Sequence, residues 1–423
     1  MDNFFYKIRL MFTDPMLRKR ILFVIAALVV FRIAASIPIP GVDTVALRQF
    51  FDNSQFLGLL NVFSGSGLSN LSIVMLGVGP YITGSIIMQL LTMMSPKLKA
   101  LYHEEGEAGR KKFTQYSRLL TVPLALLQGY ALLILLAREG VLGSLTPFQM
   151  FSNVLIVTAG SVFLMWIGEL ISEFGVGNGV SLIIFAGIVA GIPTMTTQTL
   201  ASYDPSQIPM YLAFLVAAVI IVAGVIVMTE AERPVPITYA KRVRGGKMYG
   251  GVSTYLPLRV NQAGVIPIIF ALSILLFPQL IGGFLAGVAN PVAQAVGEFL
   301  KANFTSGWLY SIFYFVLVFL FTYFYTAVTF DPEAIATNLQ KSGAFIPGVR
   351  PGSATAEYLA KILTRTTFAG ALFLSAVAVL PLAMQSLTGN QMLAIGGTAL
   401  LIVVSVVLDL IKKLDAQLSM REY

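Results

Sequence analysis

The chain has 423 residues, 57% of them hydrophobic and 11% charged, where a soluble domain carries about 25% charged residues. So little charge cannot cover a water-soluble fold, and a polytopic membrane protein is implied. With no cysteine and one histidine, His103, disulfides, thiolate chemistry and Cys-ligated metals are excluded, and most His-based sites are removed. The net charge of +8 raises nucleic acid as a partner, and the placement of the basic residues decides that question.

The first twenty residues, MDNFFYKIRLMFTDPMLRKR, are charged and amphipathic, unlike a cleaved signal peptide with its short basic region and small-residue cleavage site. They read as a retained cytosolic segment. Ten stretches then reach the roughly 20 apolar residues that cross the hydrocarbon: 21–38, 71–94, 119–137, 150–168, 179–196, 210–229, 262–284, 308–330, 367–385 and 392–411.

The decapeptide FSGSGLSNLS at 63–72 leads into the second stretch. Each of its glycines costs about 1 kcal/mol against Ala inside a helix, and its Ser and Asn would find no water in lipid. Two readings are open. It is an extracytoplasmic loop feeding span 2, or a short re-entrant segment sheltered by protein and cheap to move. Further on, GVGNGV at 175–180 has no β-α-β unit around it and reads as a tight turn into span 5. The polar run TMTTQTLASYDPSQIP, around 194–209, divides the ten spans five and five. An odd number of spans per half makes two alike halves insert in opposite senses, the inverted-repeat plan.

Two long loops follow, about 230–261 and 331–366. In the first, basic segments flank Gly245-Gly246, which predicts a twisted hairpin. The second opens with FIPGVRPGS, where Gly and Pro interrupt regular structure, and TAEYLAKIL then starts a helix. Of the 28 Lys and Arg, 24 fall in the termini and the loops on their side, and only Arg32, Arg48, Arg138 and Lys301 on the other. The positive-inside rule places both termini in the cytoplasm. The basic excess is therefore mostly topological, and nucleic acid is not required.

Ion-coupled transporters carry ionisable groups at mid-depth. Here Glu169, Glu173 and Asp409 lie at or beyond span ends and Arg32 near one, which argues against ion coupling. An intramembrane protease lacks its partners as well, because His103 sits in the loop LYHEEGEAGRKK. What remains is an uncharged pathway for a passenger driven by a partner, sealed by hydrophobic constriction. A secondary transporter of a neutral solute is the alternative, and a scaffold that recruits cytosolic proteins through its basic loops is a second.

Five motifs resemble the signatures of the SecY family of protein-secretion channels, in order and over essentially the whole chain. They are NVFSGSGLSNLSIVMLGVGPYITGSIIMQLL, GNGVSLIIFAGIVAGIP, LPLRVNQAGVIPIIFA, NLQKSGAFIPGVRPG and GGTALLIVVSVVLDL. The resemblance implies an all-α membrane protein with ten transmembrane helices in two inverted five-helix halves, 1–203 and 204–423, forming a clamshell with a short re-entrant plug helix. It places the plug at about 61–70, including Asn61, Phe63, Ser64, Gly65, Gly67, Leu68 and Asn70. A pore ring of aliphatic side chains falls on Ile82, Ile86, Val180, Ile184, Ile269 and Ile402, with Val180 smaller than the isoleucine common there. Thr83, Gln128 and Asn261 match a polar cluster lining a lateral gate. Arg350, then Arg242, Arg244 and Lys247, match the surface that docks the motor ATPase SecA or the ribosome. Other implied partners are the SecE and SecG subunits, preprotein signal sequences and membrane lipids. No catalytic residue, metal or cofactor is implied, and the expected location is the bacterial plasma (inner) membrane. Many relatives carry a charged residue in the plug, and this chain has none.

Overall fold

The structure, a computed structural model, describes residues 13–40, 67–68, 70–103, 105–138, 142, 146–201, 208–239, 242–244, 247–249, 253–285, 290–304, 307–388 and 391–419. In chain order these form α1 (Pro15–Ala35), α2 (Gly79–Met94), α3 (Pro96–His103), α4 (Gly106–Arg138), α5 (Pro147–Phe174), α6 (Gly179–Ala201) and α7 (Ile208–Glu230). Strands β1 (Glu232–Tyr239), β2 (Arg242–Arg244), β3 (Lys247–Tyr249) and β4 (Ser253–Arg259) follow. Then come α8 (Ile266–Leu285), α9 (Pro291–Phe304), α10 (Trp308–Thr329), α11 (Pro332–Lys341), β5 (Ala344–Phe345), α12 (Ser353–Thr388) and α13 (Gln391–Ser419).

Each predicted apolar stretch carries one helix. Among the described residues, five of these, in α4, α5, α8, α10 and α12, are long and apolar enough to cross a membrane by length and composition. Their starts follow local chemistry. Asp14 caps α1 by accepting from the Met16 amide at 2.8 Å, with Pro15 in the first turn. Thr146 and Gln149 close a capping box on α5, each side chain bonded to the other's backbone amide. Both devices satisfy amides left free at a helix start. Outward faces stay apolar, as in Ile25, Val29 and Ile33 of α1 and Leu215, Val219 and Val227 of α7, the pattern expected of a surface bathed in lipid.

The second predicted stretch differs from expectation. It is helical only from Gly79, so α2 has 16 residues and spans about 24 Å. Pro80 has no amide and its ring would clash with the carbonyl four residues back in a continuous helix, which fixes the start there. The residues before it form successive tight turns, with Met75 bonded to Ser72, Gly77 to Val74 and Gly79 to Leu76. After the fifth stretch, α6 continues into the polar run as far as Ala201.

The chain forms two compact units: Met1–Ala218 with Leu272–Ser311 and Pro381–Tyr423, and Val219–Ala271 with Ile312–Leu380. In the first, Leu68, Leu71, Met75 and Leu76 join Ala125, Leu132, Leu133 and Leu136 of α4 and Val154 and Val157 of α5 in one buried cluster. In the second, the two long loops fold together. β1 pairs antiparallel with β4 and, at Thr238 and Tyr239, with β5, giving the order β4-β1-β5. Val235, Leu258, Ile346, Leu359 and Ile362 bury one side of that sheet. The strands predicted to flank Gly245-Gly246 pair, with β2 and β3 in register from Arg242↔Tyr249 to Arg244↔Lys247, while the two glycines lie outside the described residues.

Candidate functional site

Of the expected plug, Asn61, Phe63, Ser64 and Gly65 lie outside the described residues, while Gly67, Leu68 and Asn70 lie within them. The backbone turns tightly between Gly67 and Ser72. Ser72 donates its amide to the Gly67 carbonyl at 2.7 Å, Leu71 donates to Leu68 at 2.9 Å, and Leu71 is left-handed at φ 41°. That pair of bonds around a left-handed residue is the Schellman motif. Leu68 is fully buried.

This segment is pinched at its base. The Ile39 amide donates to the Leu71 carbonyl at 2.8 Å and the Ile73 amide to Ile37 at 2.9 Å, bridging Pro38 and Ser72. Asn70 Nδ2 reaches the Ala35 carbonyl and Asn153 Nδ2 the Pro40 carbonyl. Behind it, Ser161 Oγ of α5 donates to the Gly77 carbonyl at 2.6 Å. A methyl built on Gly160 would lie 1.9 Å from the Ile73 carbonyl oxygen, so only glycine admits this approach. Irregular backbone among apolar helices needs protein partners, and α5 supplies them. Sequence reading missed Gly160 and Ser161. Their signal, a Gly-Ser pair inside a hydrophobic helix, is weak without a known neighbour.

The expected ring residues are interior. Ile82 and Ile86 stand one turn apart on α2, and Val180 and Ile184 one turn apart on α6, a spacing that puts each pair on one helix face. Ile82, Ile86, Ile184, Ile269 and Ile402 are all buried, and Val180 is partly so. Val180 follows a near-touching crossing in which Gly179 of α6 lies against the carbonyl of Gly168 on α5, and a methyl on Gly168 would meet Val180 Cγ2 at 3.2 Å. The turn predicted at 175–180 is present. Gly177 has φ 91°, and Asn178 Oδ1 accepts from the Ser181 amide at 3.2 Å. α13, which carries Ile402, packs against α6. Ile269 lies in the second unit, where the neighbouring Phe270 ring meets Phe321 and Tyr325 edge-on at 5.9 and 6.1 Å.

The expected gate residues are buried or half-buried, and Thr83 and Asn261 bond locally. Thr83 Oγ1 donates to Gly79, one turn back on α2, at 3.0 Å. Gln128 is buried on α4. Asn261 Nδ2 donates to the Gly264 carbonyl at 3.2 Å, and its Oδ1 is buried without a partner among the described residues.

Of the docking residues, Arg350 is exposed at the end of a sharp loop. The Val349 amide bonds the Ile346 carbonyl at 3.0 Å across Pro347-Gly348, with Gly348 at φ 82°, a turn that prefers Pro second and Gly third. Thr355 Oγ1 then donates to the Arg350 carbonyl at 2.8 Å, fixing the backbone beneath the guanidinium. Arg242 begins β2, and Arg244 and Lys247 pair across the hairpin end.

The SecY family model matches residues 72–411. The chain belongs to the SecY family. It is 42% identical to the protein translocase subunit SecY of Streptomyces scabiei and 44% identical to that of Corynebacterium glutamicum, over 97% of both chains in each case. Among solved structures it is similar to a protein-conducting channel at TM-score 0.63 and 19% identity. It is also similar to a SecY channel whose plug domain stabilises the closed state and maintains a membrane seal, at 0.63 and 20%, and to Sec61 in a canine ribosome-channel complex from the endoplasmic reticulum, at 0.59 and 18%. Each likeness covers 94% of this chain and 91% of the other. These SecY-family relationships and the apolar helices establish a membrane protein with the channel fold.

Proposed function

We propose that this SecY-family chain is the central protein-conducting channel subunit of a Sec translocase, passing unfolded preproteins across the bacterial plasma membrane and releasing transmembrane segments sideways into lipid. The observation that carries this reading is the match to translocase subunits at 42% and 44% identity along almost the full chain. The neutral-solute transporter is left without support by relatives of this kind.

In this reading Ile82, Ile86, Val180, Ile184, Ile269 and Ile402 form the waist of a pore between two inverted five-helix halves, 1–203 and 204–423. β-Branched side chains are stiff about χ1, so such a collar seals against ions by dewetting without gripping a particular sequence. Support comes from the burial of the five isoleucines, in contrast to the exposed apolar faces of α1 and α7. Residues 61–70 act as the plug, a role supported by the tight turn bonded between Gly67 and Ser72 and the pinched base behind it. Thr83, Gln128 and Asn261 line a lateral exit. Interhelical polar contacts in lipid are worth only about 0.6–2 kcal/mol each, little enough for a signal sequence to replace.

Both termini and the β1–β5 region face the cytoplasm, a placement supported by the distribution of the basic residues. There Arg350, with Arg242, Arg244 and Lys247, docks SecA or the ribosome, guanidinium groups suiting carboxylate and phosphate partners. SecE and SecG complete the channel. The chain catalyses no reaction, and the energy comes from its partners.

The test is reconstitution of the chain with SecE and SecG in vesicles, followed by protease protection of a preprotein. Uptake that requires SecA, ATP and a signal sequence supports the reading. Rapid flux of a neutral fluorescent solute without a motor, and no preprotein uptake, contradicts it.

A further inference from the structure

The stretch between the two spans α8 and α10 contains α9, PVAQAVGEFLKANF. Asn290 starts this helix, its Oδ1 accepting from the Val292 amide at 2.9 Å, with Pro291 in the first turn. At 3.6 residues per turn its side chains form three strips. Ala293, Gly297, Leu300 and Phe304 face inward and are buried or half-buried, while Gln294 and Glu298 are exposed on one side. Val292, Ala295, Val296 and Phe299 are exposed on the other and line a shallow apolar groove. Val292 is 71% exposed and Phe299 59%, a large uncovered payload for so short a helix.

We propose that this strip is a membrane-interface anchor, seated in the headgroup and acyl boundary of the extracytoplasmic leaflet. Three observations name lipid as the occupant. First, both flanking helices are long and apolar enough to span, so the chain enters and leaves α9 from membrane-spanning segments. Second, one end of α9 is tied to α8 close to the end of that helix. Gln279 Nε2 donates to the Phe304 carbonyl at the end of α9, and Gln279 lies six residues before the end of α8, about 9 Å along its axis. Interfacial helices bury their apolar face about 5–10 Å into that boundary. Trp308, 75% exposed at the first position of α10, is the residue type enriched at the same level. Third, four side chains on one helix fall far short of the 20–30 residues a side of a standard protein interface. α9 carries one acid, Glu298, and one base, Lys301, so the anchor is apolar and indifferent to anionic lipid.

The inference rests on membrane placement of α8 and α10, not on the passenger pathway. Because the chain has no cysteine, single-Cys variants Val296→Cys, Phe299→Cys and Gln294→Cys can be spin-labelled in the complete channel complex. They are reconstituted in phosphatidylcholine vesicles, with and without phosphatidylglycerol. Collision rates with oxygen and with a water-soluble nickel chelate report lipid and water. The anchor predicts oxygen-rich labels at 296 and 299, about 5–10 Å below the phosphates, a nickel-accessible label at 294, and no change with phosphatidylglycerol. Labels at 296 and 299 that read water like 294, that are shielded from both agents as beneath a protein partner, or that enter only anionic membranes would overturn it. A Leu320→Cys label, on the exposed face of α10, serves as control. Water contact there would overturn the membrane placement itself, whereas failed preprotein uptake with correct label depths would sink only the channel reading.

Discussion

Leu71 donates its amide to the carbonyl of Leu68 while holding a left-handed backbone, and both side chains are fully buried. A leucine in that conformation costs roughly 1–2 kcal/mol in sterics, a position glycine normally fills at a helix end. The burial of Leu71 against α4 and α5 offsets that cost. Removing the side chain should therefore destabilise the fold in two distinguishable ways. Leu71→Ala loses the packing and keeps the strain, whereas Leu71→Gly loses the packing and relieves it. Both variants should unfold at lower temperature in detergent, by about 2–5 kcal/mol for the alanine, with the glycine variant the more stable by roughly 1 kcal/mol. An alanine variant as stable as the glycine one would show that the strain is absent.

The contact between Gly160 and the Ile73 carbonyl gives a second expectation. A methyl there would lie 1.9 Å from the oxygen of a backbone that is itself bonded to its neighbours. Gly160→Ala should force the turns before α2 away from α5 and cost about 1–3 kcal/mol. Thermal unfolding of the purified complex checks this, and an unchanged midpoint would mean the turns yield freely.

How much of this was legible in the sequence depends on the range of the interaction. Hydropathy alone pointed to a helix in each apolar stretch, because a run of apolar residues needs no partner to be recognised. Gly245-Gly246 announced the hairpin in the same local way. The turns at 72–78 escaped because those residues are as apolar as the helix they precede, and only Pro80 marks the boundary. The β4-β1-β5 sheet escaped because β5 has two residues and reaches its partner across a hundred positions of chain. α9 was passed over because it is too short to span and lies between stretches that do. The ring residues are individually ordinary isoleucines, distinguishable from packing residues only through resemblance to a family.

Deleting residues 62–70 removes most of the proposed plug while leaving the Ile39–Leu71 and Ile73–Ile37 bonds at its base. The fold should survive, shown by an unchanged helical content, and planar-bilayer recordings should show an ion leak absent from the intact channel. Identical conductance with and without the segment would remove the plug from the account.

Arg350 is exposed, and its loop is shaped by Pro347, Gly348 and the bond from Thr355 to its carbonyl, none of which uses the guanidinium. Arg350→Glu should leave the unfolding midpoint within about 0.5 kcal/mol of the parent, as surface substitutions do. It should nevertheless abolish SecA-driven preprotein uptake by reversing the charge offered to the motor. Full uptake by a stably folded variant would place docking elsewhere.

The most direct test of the central claim follows the passenger itself. A preprotein is stalled midway through the reconstituted channel, and photo-crosslinking groups are placed in turn at positions 82, 184, 269 and 402, with position 219 on the exposed face of α7 as the comparison. The account predicts crosslinks to the passenger from all four positions and lipid adducts alone from 219. Passenger crosslinks absent from the four, with lipid adducts in their place, would contradict it.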